Sequence, residues 1–121
     1  CFVSQRAILD RASVFITHAG FNSLLESSAA TVPMLCIPLS ADQPFNAANA
    51  ERVGAALMLT RMTATPENVR DAVRRLLAET SFKESCRKIG AELRSLPAVE
   101  NAVPLIEYLA ATREPVSTMT E

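Results

Sequence analysis

The sequence predicts an α/β fold built on a short parallel sheet, and three observations carry that prediction. Apolar runs at residues 13–17 (S-V-F-I-T), 34–37 (M-L-C-I) and 55–59 (A-A-L-M-L) are too short for helices and read as strands. Helical stretches separate them, and strands alternating with helices indicate a parallel sheet. Polar residues gather where these strands end and the next helices begin, the edge on which open α/β sheets bind ligands.

The elements follow in order. Residues 2–3 close a strand or enter a loop, and Ser4 caps a short helix over 5–11 with Ala7, Ile8 and Ala12 facing inward. The run 13–17 is nearly all apolar, which suits a strand buried on both faces. After Gly20, apolar residues recur at Phe21, Leu24, Leu25, Ala29 and Val32, the spacing of a helix that Pro33 ends. The second strand, 34–37, leads into a loop over 38–44 in which Asp42 caps a helix over 43–53. Gly54 stops that helix, as glycine commonly does just past a helix end. Beyond the third strand, Thr65-Pro66 gives an N-cap with proline at the first helical position. Val69, Ala72, Val73, Leu76 and Leu77 then mark the inward face of the most regular amphipathic helix. Another helix starts at Ser81, with Phe82, Cys86, Ile89 and Leu93 inward, and ends before Pro97. The last, over about 99–111, carries Pro104 near its middle, so a kink or a late start is expected.

Residues 1–112 are expected to form one domain and 113–121 a flexible tail. Three parallel strands alone leave both sheet edges open. The chain also begins C-F-V-S-Q without a methionine, so it reads as a fragment whose first strands lie upstream.

Composition narrows the function classes. Of 121 residues, 49% are apolar and 21% charged, which allows a packed core. Twelve basic and thirteen acidic side chains nearly cancel, and the basic residues at 69–75 alternate with apolar ones, so no nucleic-acid footprint is visible. No apolar run approaches the roughly 20 residues that span a bilayer. Cys1, Cys36 and Cys86 are too far apart for a C-x-x-C metal or redox motif, and they suit core positions in a reducing, cytoplasmic compartment.

Two polar clusters carry the chemistry. In H-A-G-F-N-S-x-x-E, a helix N-terminus with unpaired N–H groups attracts phosphate, and Gly20 allows close backbone approach or φ > 0. Asn22 and Ser23 add donors in the first turn, and His18 adds one from the strand end. Glu26, one turn deeper on the same face, would oppose phosphate but suits the paired hydroxyls of a ribose. The competing reading is structural, with Asn22 or Ser23 as N-cap and His18 as a core histidine. The second cluster, A-D-Q-P-F-N-A, places Asp42 and Gln43 on the same sheet edge, where they offer acceptors and donors for sugar hydroxyls. Capping is again the plainer role for Asp42. Taken together, the clusters describe a site for a nucleotide-linked ligand.

The segments T-H-A-G-F-N-S-L-L-E, V-P-M-L-C-I-P and D-Q-P-F-N-A-A-N-A resemble the donor-binding signature of the UDP-glycosyltransferases. These GT-B-fold enzymes glycosylate lipophilic small molecules such as macrolides, carotenoids, sterols and plant metabolites. The resemblance begins at F-V-S-Q, where the family often has an aromatic-x-P-Q segment, and extends over the helical remainder. It implies that Phe2 stacks on the uracil with Gln5 near the base or ribose. It assigns His18, Gly20, Asn22 and Ser23 to the diphosphate, Glu26 to the ribose, and Asp42 and Gln43 to the transferred sugar. Asn46 is read as structural. The UDP-sugar is a co-substrate and no cofactor is implied. The absence of a D-x-D motif agrees with the family's metal-independent chemistry. Family members invert the anomeric centre with a histidine base from their N-terminal domain, so this chain would hold no catalytic residue and His18 is not that base. The implied partners are the UDP-sugar, a lipophilic acceptor and the N-terminal domain.

Three departures stand out: Phe2 replaces the common tryptophan, Ser4 replaces proline, and Thr31-Val32-Pro33 replaces G-V-P, which removes a glycine helix end. Three other readings compete with a transferase fragment: a donor-binding subunit of a split glycosyltransferase, a nucleotide-sugar epimerase, and a regulatory module without chemistry. The D-Q-P-F-N-A segment speaks against the epimerase.

Overall fold

The computed structural model describes residues 3–115. The element order is α1 (Gln5–Leu9), β1 (Phe15–Thr17), α2 (Phe21–Ala29), β2 (Met34–Cys36), α3 (Gln43–Arg52), β3 (Ala56–Met58), α4 (Pro66–Ala78), α5 (Thr80–Ser95) and α6 (Ala98–Thr112). The strands form a parallel sheet in the order β1-β2-β3, pairing Phe15 with Met34 and Met34 with Ala56. The α/β architecture with a short parallel sheet is therefore as the sequence predicts.

The period of two along β2 builds two cores. Met34 and Cys36 point to the face covered by α2, α3 and α5, where they meet Ala47, Ala50, Ala55 and Cys86. Leu35 points to the other face and meets Ala72 and Leu76 of α4 and Phe82 at the start of α5. Only β2 is buried throughout. In β1, Ile16 is 51% exposed, contrary to the expectation of burial on both faces, because α4 lies over β2 and β3. On the opposite edge of the sheet, Glu51 Oε1 accepts the Met58 N–H at 2.9 Å. Burial pushes the Cys36 thiol up to about 12, with Glu51 adding to the shift, and burial pushes Cys86 up to about 11. Both thiols are free.

Several local expectations change. The first helix stops at Leu9, its one buried residue, whereas Ile8 is 54% exposed. Five residues give too little turn to bury more than one position. Leu77 also faces solvent, at the rim of the stripe formed by Ala72 and Leu76. Thr65 does cap α4, accepting the Asn68 N–H at 3.2 Å. The last helix runs from Ala98 through Pro104 without a late start, and every one of its residues is exposed. Of the expected tail, 116–121 lies outside the described residues.

Gly90, to which the sequence drew no attention, sets the distance between α2 and α5. A Cβ there would stand 2.4 Å from the Ser28 carbonyl oxygen, so the two helices pack backbone to backbone. Arg94 extends the contact by donating from Nη1 to Ala29 O at 2.8 Å. This packing fixes α2, the helix that opens the candidate site.

Candidate functional site

The β1–α2 turn is built from two unlike residues. Ala19 takes the left-handed conformation (φ 67) although it is not glycine, and it is fully buried. Its N–H donates to Thr17 Oγ1 at 3.2 Å and its carbonyl accepts from Asn46 Nδ2 at 3.3 Å. Gly20 is the N-cap, with an ordinary extended conformation (φ −62, ψ 141). Positive φ therefore does not explain this glycine, but close approach does. A Cβ on Gly20 would stand 2.7 Å from His18 Nε2. The imidazole lies against the entrance to α2, exposed to solvent.

No side chain caps α2, so the capping roles considered for Asn22 and Ser23 are not adopted. Leu24 is the first residue whose N–H bonds back, to Gly20 O at 3.1 Å. Among the described residues, nothing accepts from the N–H groups of Phe21, Asn22 and Ser23. These donors and the positive end of the helix dipole face the same opening as His18. One turn on, Gln5 Nε2 donates to Glu26 Oε2 at 2.9 Å and to Ser23 Oγ at 3.5 Å. The short helix α1 thus delivers Gln5 to the carboxylate.

The β2–α3 loop repeats the plan with different chemistry. Ala41 is left-handed (φ 57), and Asp42 stands at the N-cap without a side-chain capping bond. Asp42 Oδ2 instead accepts from Asn46 Nδ2 at 2.7 Å. Gln43 Oε1 accepts the N–H groups of Leu39 at 2.9 Å and Ser40 at 3.1 Å. That leaves the Gln43 amide nitrogen free to donate outward.

Gln5, His18 and Ser23 line one open cleft of about 360 Å³ with Ile37, Leu39 and the three residues of β1, so it runs along the β1 edge to the carboxyl ends of β1 and β2. Asp42 and Gln43 open α3, at the end of the loop that continues from Leu39. Phe2 lies outside the described residues. A second groove, about 320 Å³ and lined by Phe21, Leu24, Phe45 and Val53, separates α2 from α3. Its lining is mostly apolar, with Ser28, Asn46 and Asn49 as its polar residues and no charged side chain. Sequence reasoning missed Thr17 and the double role of Asn46; an amide one turn after Asp42 was the available signal.

The uncapped helix N-terminus, the adjoining imidazole and the two hydrogen-bonded carboxylates stand on a Rossmann-like parallel sheet, at the edge where such sheets present their ligand-binding loops. Residues 2–112 match the family described as UDP-glucoronosyl and UDP-glucosyl transferase, and the chain belongs to that family. It is 36% identical over 114 residues to the putative UDP-glucuronosyltransferase ugt-48 of Caenorhabditis elegans, covering 89% of this chain and 22% of that protein. It is 37% identical over 112 residues to the aclacinomycin-T 2-deoxy-L-fucose transferase of Streptomyces galilaeus, covering 91% of this chain and 26% of that protein. Among solved structures, the glycosyltransferase VinC in complex with DTDP superposes with a TM-score of 0.85 at 31% identity, over 91% of this chain and 28% of that one. The glycotransferase of kitacinnamycin superposes at 0.81 and 35% identity, over 88% of this chain and 28% of that one. The chain thus spans about a quarter of the length of these relatives, and its fold is part of the GT-B architecture that the solved neighbours share.

Proposed function

We propose that this chain is the donor-binding portion of an inverting glycosyltransferase that moves a hexose from a UDP-sugar to a hydroxyl of a lipophilic acceptor. The observation that carries the reading is the set of free N–H groups at Phe21, Asn22 and Ser23 beside the exposed His18. The diphosphate sits there. As the acceptor oxygen attacks the anomeric carbon and the bond to UDP breaks, negative charge grows on the leaving diphosphate. The imidazole and the helix N-terminus offset it. The base that takes the acceptor's proton belongs to a part of the protein outside this chain. Glu26, aimed by Gln5, takes the paired ribose hydroxyls. Asp42 and the Gln43 amide take the sugar. The two buried free thiols support a reducing compartment such as the cytoplasm.

UDP is expected to raise the melting temperature of the complete protein. Glu26→Ala should weaken UDP binding by roughly 1–3 kcal/mol, the range for hydrogen bonds to a charged group. Unchanged UDP affinity in that variant removes Glu26 from the site. Residues 1–121 alone should transfer no sugar; measurable turnover by them contradicts the division of roles.

A further inference from the structure

Asn46 sits on the first turn of α3, between the diphosphate half and the sugar half of the site. A primary amide nitrogen carries two N–H donors, and both are used here. One goes to the Asp42 carboxylate at 2.7 Å, the other to the carbonyl of Ala19 at 3.3 Å. The first bond selects one orientation of the carboxylate, leaving Oδ1 to accept from a ligand. The second bond holds a peptide under constraint. Ala19 is left-handed and fully buried, and its carbonyl belongs to the peptide that leads into Gly20, directly after His18 in the chain. Together with the Thr17 hydroxyl on its N–H, the amide satisfies both polar groups of that residue.

We propose that Asn46 is a positioning residue that couples the two halves of the donor site, aiming Asp42 at the sugar while fixing the turn that presents His18. The proposal rests on the donor-site reading above and deepens it. Asn46 touches no ligand atom in this role and acts through its two neighbours. Aspartate cannot replace it, because a carboxylate has no donors and would face both Asp42 and a carbonyl oxygen. Alanine leaves Asp42 free to rotate and the Ala19 carbonyl without its partner.

The test is a double-mutant cycle on the complete protein, with UDP and UDP-glucose as probes in calorimetry. The quantity read is the gain in affinity of UDP-glucose over UDP, which isolates the sugar contacts. Asn46→Ala should cut that gain by about tenfold, close to the loss from Asp42→Asn, because it removes a bond to a charged group. Adding Asn46→Ala to Asp42→Asn should change the gain little further, since the residues act as one unit. Asn46→Asp should be worse than Asn46→Ala. A general loss of packing would lower the melting temperature but leave the gain intact, and that result overturns the proposal. So does an equal, additive effect in the Asp42→Asn background. Should Asn46→Ala not fold, Asn46→Ser, which keeps one donor, is read by the same ratio. If the wild-type protein binds neither UDP nor UDP-glucose, the donor-site reading itself falls and the proposal with it. Binding by wild type with an unmoved ratio in the variants removes the role of Asn46 alone.

Discussion

The two strand–loop–helix units, β1–α2 and β2–α3, share one plan and differ in what they leave free. Each has a left-handed alanine before the helix, Ala19 or Ala41, and a helix without a side-chain cap. In each, a primary amide meets a carboxylate on the helix or at its cap: Gln5, supplied from α1, meets Glu26, and Asn46, from α3 itself, meets Asp42. The first unit then leaves three N–H groups open. In the second, Gln43 N–H bonds to Ser40 O at 3.3 Å, Pro44 has none to give, so Phe45 alone keeps an open first-turn N–H among the described residues, and the Gln43 side chain occupies the N–H groups of Leu39 and Ser40. A doubly charged diphosphate belongs where the donors remain unpaired, and neutral hydroxyls where a carboxylate and an amide converge. On the proposed donor-site reading, the same backbone plan would serve two parts of one ligand because different donors are already used.

The units also end alike on unlike residues. In α3, Gly54 (φ 75) donates to Glu51 O and Ala55 to Ala50 O, the paired bonds of a Schellman ending. In α2, Thr31 (φ 62) donates to Ser28 O and Val32 to Ser27 O in the same pattern. The β-branched threonine keeps the glycine geometry and bears its steric strain. The missing glycine of the G-V-P pattern therefore alters the energy of this ending and leaves its shape.

The largest difference to test is the support of α2 by α5. Gly90→Ala should destabilise the protein by about 2–3 kcal/mol, since the new Cβ meets the Ser28 backbone rather than a movable side chain. Hydrogen exchange should then accelerate in α2 more than in α3; equal acceleration would separate Gly90 from the site. Next, His18→Ala should cost about 2 kcal/mol of UDP affinity by calorimetry, as a lost bond to a charged group, and leave the gain for UDP-glucose over UDP unmoved. A loss confined to that gain would reverse the assignment of the two units. The helix ends give a paired, smaller effect of opposite sign. Thr31→Gly should stabilise by about 1 kcal/mol and Gly54→Ala destabilise by a similar amount in urea unfolding, because only glycine takes the left-handed region without strain. A stability loss in Thr31→Gly would show that the threonine side chain contributes more than its strain.

The effect that is smallest at neutral pH concerns the core both units share. Cys36 and Cys86 hold their protons more tightly in the folded state than exposed thiols do. Stability from these groups is complete below about pH 9, the ordinary thiol range. It declines as pH rises towards 11–12, because the unfolded chain loses those protons first. A melting temperature that falls over this alkaline window should fall less steeply in a Cys36→Ala, Cys86→Ala double variant. Peptide maps after alkylation at pH 8 should find both thiols unmodified in the folded protein.

Local rules were enough for much of this molecule. The three apolar runs, Thr65-Pro66 and Gly54 placed strands and helix ends because strand period, proline geometry and glycine φ are properties of a few adjacent residues. His18, Glu26, Asp42 and Gln43 could be grouped because strand ends and helix starts share one edge in any parallel sheet. The tertiary structure alone decided the rest. It put positive φ on Ala19 instead of Gly20 and gave Gly20 its reason in the imidazole of His18. It also gave Gly90 its reason in the backbone of α2, and it joined Asn46 to a carbonyl 27 residues away. These are contacts between segments distant in sequence, and their strength depends on packing distances that no local pattern records.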